Sequence, residues 1–315
     1  VEVTLPEGIA GNYYLNVRTG GPFEFVYTDN NAGHSIAVPV TLSLSPDLIV
    51  ESIEVPATAQ EGDLINVTWT VLNQGEAPSS GTWTDSLVLV PASGIGNSVS
   101  LGNFTYDRSL EPGIRYTRTE QVRLPSKIEG LYRVKVVTNA NTALYEHGAA
   151  RNNNSLTSTG STQVNLNDRP DLRVSAVEVP ASVTAGTNAG IRYTVTNQGP
   201  VATSGRWTDR IYLSLDGALS SDDILVGRFD NGAALAPTES YTTESLAVSI
   251  PIRFRGNAYL IVVADGESRI DEYPNEANNV RAAQFYVDPI TFADLVTSDV
   301  VAPDQAVHGS NVEVR

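Results

Sequence analysis

The chain repeats itself at long range. Pro46-Asp47-Leu48 returns 124 residues later as Pro170-Asp171-Leu172. Trp69-Thr70-Val71-Leu72-Asn73-Gln74-Gly75 returns as Tyr193-Thr194-Val195-Thr196-Asn197-Gln198-Gly199, and Trp83-Thr84-Asp85 as Trp207-Thr208-Asp209. A third start, Ala293-Asp294-Leu295, follows the second by 123 residues. Self-similarity at a fixed long period restricts the fold to an array of like modules. Residues 46–169 and 170–292 read as two complete modules. Residues 1–45 read as the last part of another, because Gly11-Asn12-Tyr13-Tyr14-Leu15 echoes Gly256-Asn257-Ala258-Tyr259-Leu260. Residues 293–315 read as the opening of a further one. With no Met in its 315 residues, the sequence is expected to be an internal piece of a longer polypeptide.

Within a module, apolar residues recur at every second position. Ile65, Val67, Trp69 and Val71 alternate with Asn66, Thr68 and Thr70, and Ile191, Tyr193 and Val195 do the same in the second copy. Period two puts one face of a strand in the core and the other in water. Both runs end in Asn-Gln-Gly, where Asn tolerates left-handed backbone and Gly supplies positive φ. Pro112, Pro125, Pro237 and Pro251 punctuate the connections, as suits strand entries and edges. No helical stretch of ten residues is visible. About seven short strands with turn signals at this spacing predict an all-β chain of tandem immunoglobulin-like antiparallel β-sandwiches. There is no Cys, so packing alone must hold each core. Trp83 and Trp207 are expected inside it.

Composition excludes several functions. The net charge is −16, with only Lys127 and Lys135 as lysines beside 18 arginines. No basic patch is available to bind phosphates, so nucleic acid is excluded as a partner. No run of 18 apolar residues marks a membrane span. The three histidines, His34, His147 and His308, occupy non-equivalent module positions and lie in no metal-ligand spacing. No nucleophile elbow, phosphate loop or dinucleotide fingerprint occurs.

The Pro-Asp-Leu start, the Trp-Thr-Val-x-Asn-Gln-Gly strand end, the strand Ile211-Tyr212-Leu213-Ser214-Leu215-Asp216 and the terminal Glu276-Ala277-Asn278-Asn279 together resemble the CARDB family, cell-adhesion-related domains of bacteria and archaea. The second module matches throughout, and the first more loosely after Val90. The resemblance implies immunoglobulin-like sandwiches in a large secreted or surface protein, an adhesive or spacer role, and no catalytic residues.

Two acidic loops are candidate calcium sites, since hard carboxylate oxygens suit that ion. One holds Asp216, Asp222 and Asp223. The other holds Asp265, Glu272 and Glu276, with Glu267, Asp271, Asn278 and Asn279 nearby. No cofactor is required, and calcium is the one these loops suggest. The Asn pair recurs as Asn153-Asn154 and Asn30-Asn31, which points to a role in bonding neighbouring peptide groups. Asp85 and Asp209 share strand parity with the core, so each is expected either to bond an Arg or backbone N–H groups, or to be solvated at a strand start. Ile290 and Phe292 are expected to pack into a module junction.

The resulting expectation is a non-enzymatic structural or adhesive array of an extracellular or cell-surface filament protein. Its partners would be neighbouring modules or copies of the same protein, with surface glycans or proteins as further targets. Two other readings stand beside it: a filament subunit completed by strand exchange between chains, and a module that binds carbohydrate or protein through its loops.

Overall fold

The computed structural model describes residues 2–21 and 28–314; residues 1, 22–27 and 315 lie outside the description. Among the described residues the only helical segments are three short 3-10 turns, Thr28–Asn30, Gly148–Asn152 and Glu276–Asn279. The chain divides into two compact units, Val1–Asn167 and Asp168–Arg315.

The first unit opens with a small paired region: β1 (Gly11–Tyr13), β2 (Asn16–Arg18), β3 (Ala32–His34) and β4 (Val38–Val40). β1 pairs with β4 and β2 with β3, both antiparallel. The sandwich that follows contains β5 (Leu48–Glu54), β6 (Thr58–Gln60), β7 (Leu64–Asn73), β8 (Trp83–Pro91), β9 (Val99–Tyr106), β10 (Arg115–Arg123), β11 (Gly130–Val137), β12 (Ser155–Thr157) and β13 (Thr162–Asn165). One sheet runs β10-β7-β5 and the other β6-β13-β11-β8-β9, with β12 also on β11. β11 thus meets β13 near its start and β12 near its end, the same two-step pairing as in the opening hairpin.

The second unit repeats the plan with β14 (Leu172–Glu178), β15 (Ser182–Thr184), β16 (Asn188–Asn197), β17 (Trp207–Ser214), β18 (Ile224–Asn231), β19 (Ser240–Thr242), β20 (Leu246–Ser249), β21 (Gly256–Val263) and β22 (Val280–Asp288). Its sheets are β14-β16-β19, with β20 also on β16, and β15-β22-β21-β17-β18. Even an irregularity recurs: the pairing slips between Val50 and Ser52 on β5, and between Val174 and Ala176 on β14.

The all-β sandwich is as expected, but it is not wholly antiparallel. β6 runs parallel to β13, and β15 parallel to β22. The chain crosses between sheets after β5 and after β14, so the short next strand meets the module's last strand in the same direction.

Alternation decides the faces. On β7, Ile65, Val67, Trp69 and Val71 are buried, and on β16 Ala189, Ile191, Tyr193 and Val195 are. Trp83 and Trp207 lie in the two cores. Burying a ring of that size contributes a few kcal/mol (roughly 25 cal/mol per Å² of apolar surface). Residues 289–314 form no strand, and Leu295 is 93 % exposed. Ile290 packs on the second module's core, whereas Phe292 is exposed.

Candidate functional site

The recurring residues converge where the first strand of each module begins. In the first module Leu48 enters the core, and its backbone N–H donates to Glu146 Oε1 at 2.6 Å. The Asp47 N–H donates to Asn73 Oδ1 at 3.1 Å, and Asn153 Nδ2 donates to Asp47 Oδ1 at 2.9 Å. Glu146 is buried, and its second oxygen accepts from Asn139 Nδ2 (2.8 Å) and Asn154 Nδ2 (2.6 Å). A buried carboxylate is costly unless its lone pairs are filled; here one backbone and two side-chain donors fill them. The second module makes the same clasp. Leu172 N donates to Glu272 Oε2 at 2.9 Å, Asp171 N to Asn197 Oδ1 at 3.0 Å, and Asn278 Nδ2 to Asp171 Oδ1 at 2.7 Å. The Asn pair therefore binds carboxylates, not the neighbouring peptide groups expected from sequence. A primary amide reaches an acid on another strand as readily as a local carbonyl, and the hairpin brings those acids within range.

Asn73 and Asn197 tie the same corner together. Asn73 is fully buried; it also accepts from Gly75 N and donates to Ala77 O and Leu110 O. Asn197 accepts from Gly199 N and donates to Val201 O and Leu235 O. Neither Asn nor either Gly has the positive φ expected of them. Gly75 is required for space instead: a Cβ there would lie 2.4 Å from Asp47 N and 2.6 Å from Ser45 O. At Gly199 it would lie 2.4 Å from Arg169 O. The missing side chain lets the Pro-Asp-Leu backbone lie against the turn.

A second recurring group sits in the core. Asp85 is fully buried and accepts from Trp69 Nε1 at 2.7 Å and Tyr116 Oη at 2.6 Å. Asp209, equally buried, accepts from Tyr193 Oη (2.8 Å), Trp207 Nε1 (3.1 Å), Asp265 N (3.1 Å) and Tyr241 Oη. Neither acid is solvated or paired with Arg. Aromatic donors can be buried with little penalty, so they reach where a guanidinium would have to be desolvated. Burial pushes both carboxyls above their usual range, against the pull of these donors. It also pushes the Tyr116, Tyr193 and Tyr241 phenols up, so they keep their protons and donate.

The six candidate calcium ligands fall on two loops. Asp216 Oδ1 accepts from Ala218 N and Ser214 Oγ, Asp223 Oδ2 from Ser220 N, and Asp222 Oδ1 from Ser220 Oγ. These are turn-forming contacts. Asp265 sits at φ +46 and accepts from Arg269 N and Ile270 N, while Glu276 Oε1 accepts from Glu272 N. Among the described residues no group of three or more His, Asp or Glu side chains is placed to hold a metal ion.

The CARDB family matches residues 45–158 and 169–283, the two sandwiches and more than half of the chain. The chain belongs to the CARDB family. No curated protein matches it. Among solved structures it is similar to the crystal structure of a CARDB domain from Pyrococcus furiosus, described as a complex with di-metal ions, at 24% identity and TM-score 0.31; the match covers 40% of this chain and 100% of that one. A solution structure of the same domain gives 23% identity and TM-score 0.29, covering 38% and 95%. Red sea bream transglutaminase gives 16% identity and TM-score 0.27, covering 78% of this chain and 32% of that one.

Sequence reading missed one shared residue of these CARDB modules. Glu146 was not singled out there and Glu272 only as a calcium candidate, yet the two hold the Leu48 and Leu172 N–H groups in the same way. The signal was Leu144-Tyr145-Glu146 against Ile270-Asp271-Glu272, an apolar residue two before a Glu. The modules differ beside it. Asn139, at φ +49, donates to Glu146, whereas Asp265 in its place has no amide to give. Glu272 Oε1 is left buried without a partner. Burial, with the nearby Glu276 and Asp265 charges, lifts the Glu272 carboxyl to about 8, against the pull of Leu172 N and Asn279.

Proposed function

We propose that this chain is a stretch of non-catalytic spacer and adhesive modules from an extracellular or cell-surface protein of a bacterium or archaeon. One observation carries the reading. The residues that recur in both modules, from the Pro-Asp-Leu start to the buried Asp and Glu, spend their polar groups on holding the sandwich closed. Repeating such groups in both modules serves a unit that must stay folded. No helix among the described residues is long and apolar enough to cross a membrane.

Single-molecule stretching of the whole chain tests this. The expected trace has two separate ruptures, each releasing about 40 nm for some 120 residues, and full refolding between pulls. One rupture for the entire chain would overturn the reading of independent load-bearing units.

A second reading is favoured by the opening hairpin. Tyr14 is 57 % exposed and Val17 65 % exposed, an apolar surface that strands of a neighbouring copy would cover by strand addition. Sedimentation across a hundredfold concentration range distinguishes it: assembly that vanishes when residues 1–45 are deleted supports strand exchange. A calcium ion at Asp265, Glu272 and Glu276 would share the Asp265 oxygens with the Arg269 and Ile270 N–H groups, whereas Glu272 Oε1 is unengaged. Equilibrium dialysis with radioactive calcium, on wild type and Glu276→Gln, measures whether it does.

A further inference from the structure

We propose that Asn103 is an N-glycosylation site at the outer edge of the first module, a proposal that rests on the extracellular location given above. Three Asn-x-Ser/Thr triplets, the acceptor pattern for N-linked sugar, occur in the chain: Asn66-Val67-Thr68, Asn103-Phe104-Thr105 and Asn153-Asn154-Ser155. The fold separates them. Asn153 Nδ2 is spent on Asp47 at 2.9 Å, so a sugar there would break the clasp. At the first triplet the Thr68 hydroxyl pairs with that of Thr119 at 2.8 Å, and β7 lies between β10 and β5. Asn103 and Thr105 are under neither constraint.

Both stand on β9, the last strand of its sheet, with β8 on one side only. Strand alternation turns Asn103 and Thr105 outward, where both are exposed, and Phe104 inward, its ring 5.6 Å from that of Trp69. The Asn103 amide has no hydrogen-bond partner among the described residues. Its surroundings are small. Ser86 is directly opposite on β8, and Gly102 precedes it at φ +146, where the β8–β9 pairing slips. An exposed amide beside a serine and a glycine has room for a sugar ring.

The second module indicates what the position is for. In the matching register its β18 has Arg228 and Asp230, opposite Arg210 and Thr208. Outward charges of this kind keep a free edge from pairing with another chain. β9 has no charged residue from Val99 to Tyr106, and a sugar at Asn103 shields that edge instead. A second copy adding a strand there would compete with Arg118, whose Nη1 already donates to Thr105 O at 2.7 Å. The attachment is a glycosyl transfer from an oligosaccharide carried on a polyprenyl diphosphate. Asn103 Nδ2 bonds to the anomeric carbon, and the bond from that carbon to the diphosphate oxygen breaks. The diphosphate leaves with the electron pair, and one Nδ2 proton passes to a base of the transferase.

Protein from the cells that make it tests the proposal in two steps. Protease applied to intact cells first asks whether the chain lies outside; an untouched chain would remove the extracellular reading and the sugar with it. Cleavage after glutamate then puts the three triplets in separate peptides, residues 62–76, 77–111 and 147–178, for mass spectrometry. We expect 77–111 alone to carry added mass in whole sugar residues. Asn103→Gln and Thr105→Ala should each remove it, and Thr105→Ser should keep it. All three change exposed side chains and leave the core untouched. A surface-accessible chain whose 77–111 peptide is unmodified, or whose modification survives Thr105→Ala, would overturn the proposal. So would self-association of the native protein that Asn103→Arg abolishes, which would make β9 a contact between copies.

Discussion

Trp69 donates its indole N–H to Asp85 at 2.7 Å, across the sandwich interior. At the matching position the second module has Tyr193, which donates its phenol to Asp209. The exchange is compensated by a second tryptophan. Trp207 turns its N–H to Asp209, whereas Trp83, its counterpart, finds no acceptor in hydrogen-bonding geometry. Each module thus supplies the acid with one indole, drawn from different strands.

Asp85→Ala strands the Trp69 and Tyr116 donors in the core, and Asp209→Ala strands four. Leaving buried donors unsatisfied costs about 1–3 kcal/mol each, not additively. We expect losses of about 3 kcal/mol in the first module and more in the second. The three tryptophans divide between modules, two in the first and Trp207 in the second. Denaturant titration of the whole chain, followed by fluorescence with a Trp207→Phe background for the first module, reads them separately.

Trp69→Phe should cost more than Trp83→Phe by about 1 kcal/mol, because only the former gives up a hydrogen bond to a carboxylate. The volume lost is the same in both, so the difference isolates the bond. Equal losses would mean that packing alone sets the worth of both rings.

Gly75→Ala and Gly199→Ala should each destabilise their module by about 2–4 kcal/mol, since the added carbon meets backbone and not a movable side chain. Asn73→Ala should match that by freeing four bonded groups at the same corner. Thermal melts and proton spectra of the Leu48 and Leu172 amides would follow both.

The second module should lose stability as pH rises. The folded Glu272 carboxyl titrates near 8 and the unfolded one near 4.5, so the folded state binds the proton more tightly. Its penalty is absent below about pH 4.5 and grows until pH passes 8. Asp209 and Asp265, also raised by burial, act in the same direction. Between pH 5 and 8.5 we expect a fall of order 2–4 kcal/mol, and Glu272→Gln should flatten most of it. A slope unchanged in Glu272→Gln would assign the effect to the aspartates.

How much was legible can be argued residue by residue. The alternation of Ile65, Val67, Trp69 and Val71 gave the strand, its inward face and the core position of its ring. The repeat placed a second sandwich with the same buried ring at Trp207. The same text suggested a turn at Asn73 and Gly75, which forms without the expected positive φ, and a backbone role for Asn153, which bonds an acid instead. Their partners lie far along the chain: Asn153 bonds Asp47 over 106 residues, and Glu146 bonds Leu48 over 98.

The sequence alone determined an array of β-sandwiches and which side chains face inward, because period two is a local property of strands and burial follows from it. Tertiary structure decided which donor fills each buried carboxylate, why Gly75 bears no side chain, and that β6 joins β13 in parallel. Those depend on distances between segments that only folding brings together, and no residue's own preference encodes them.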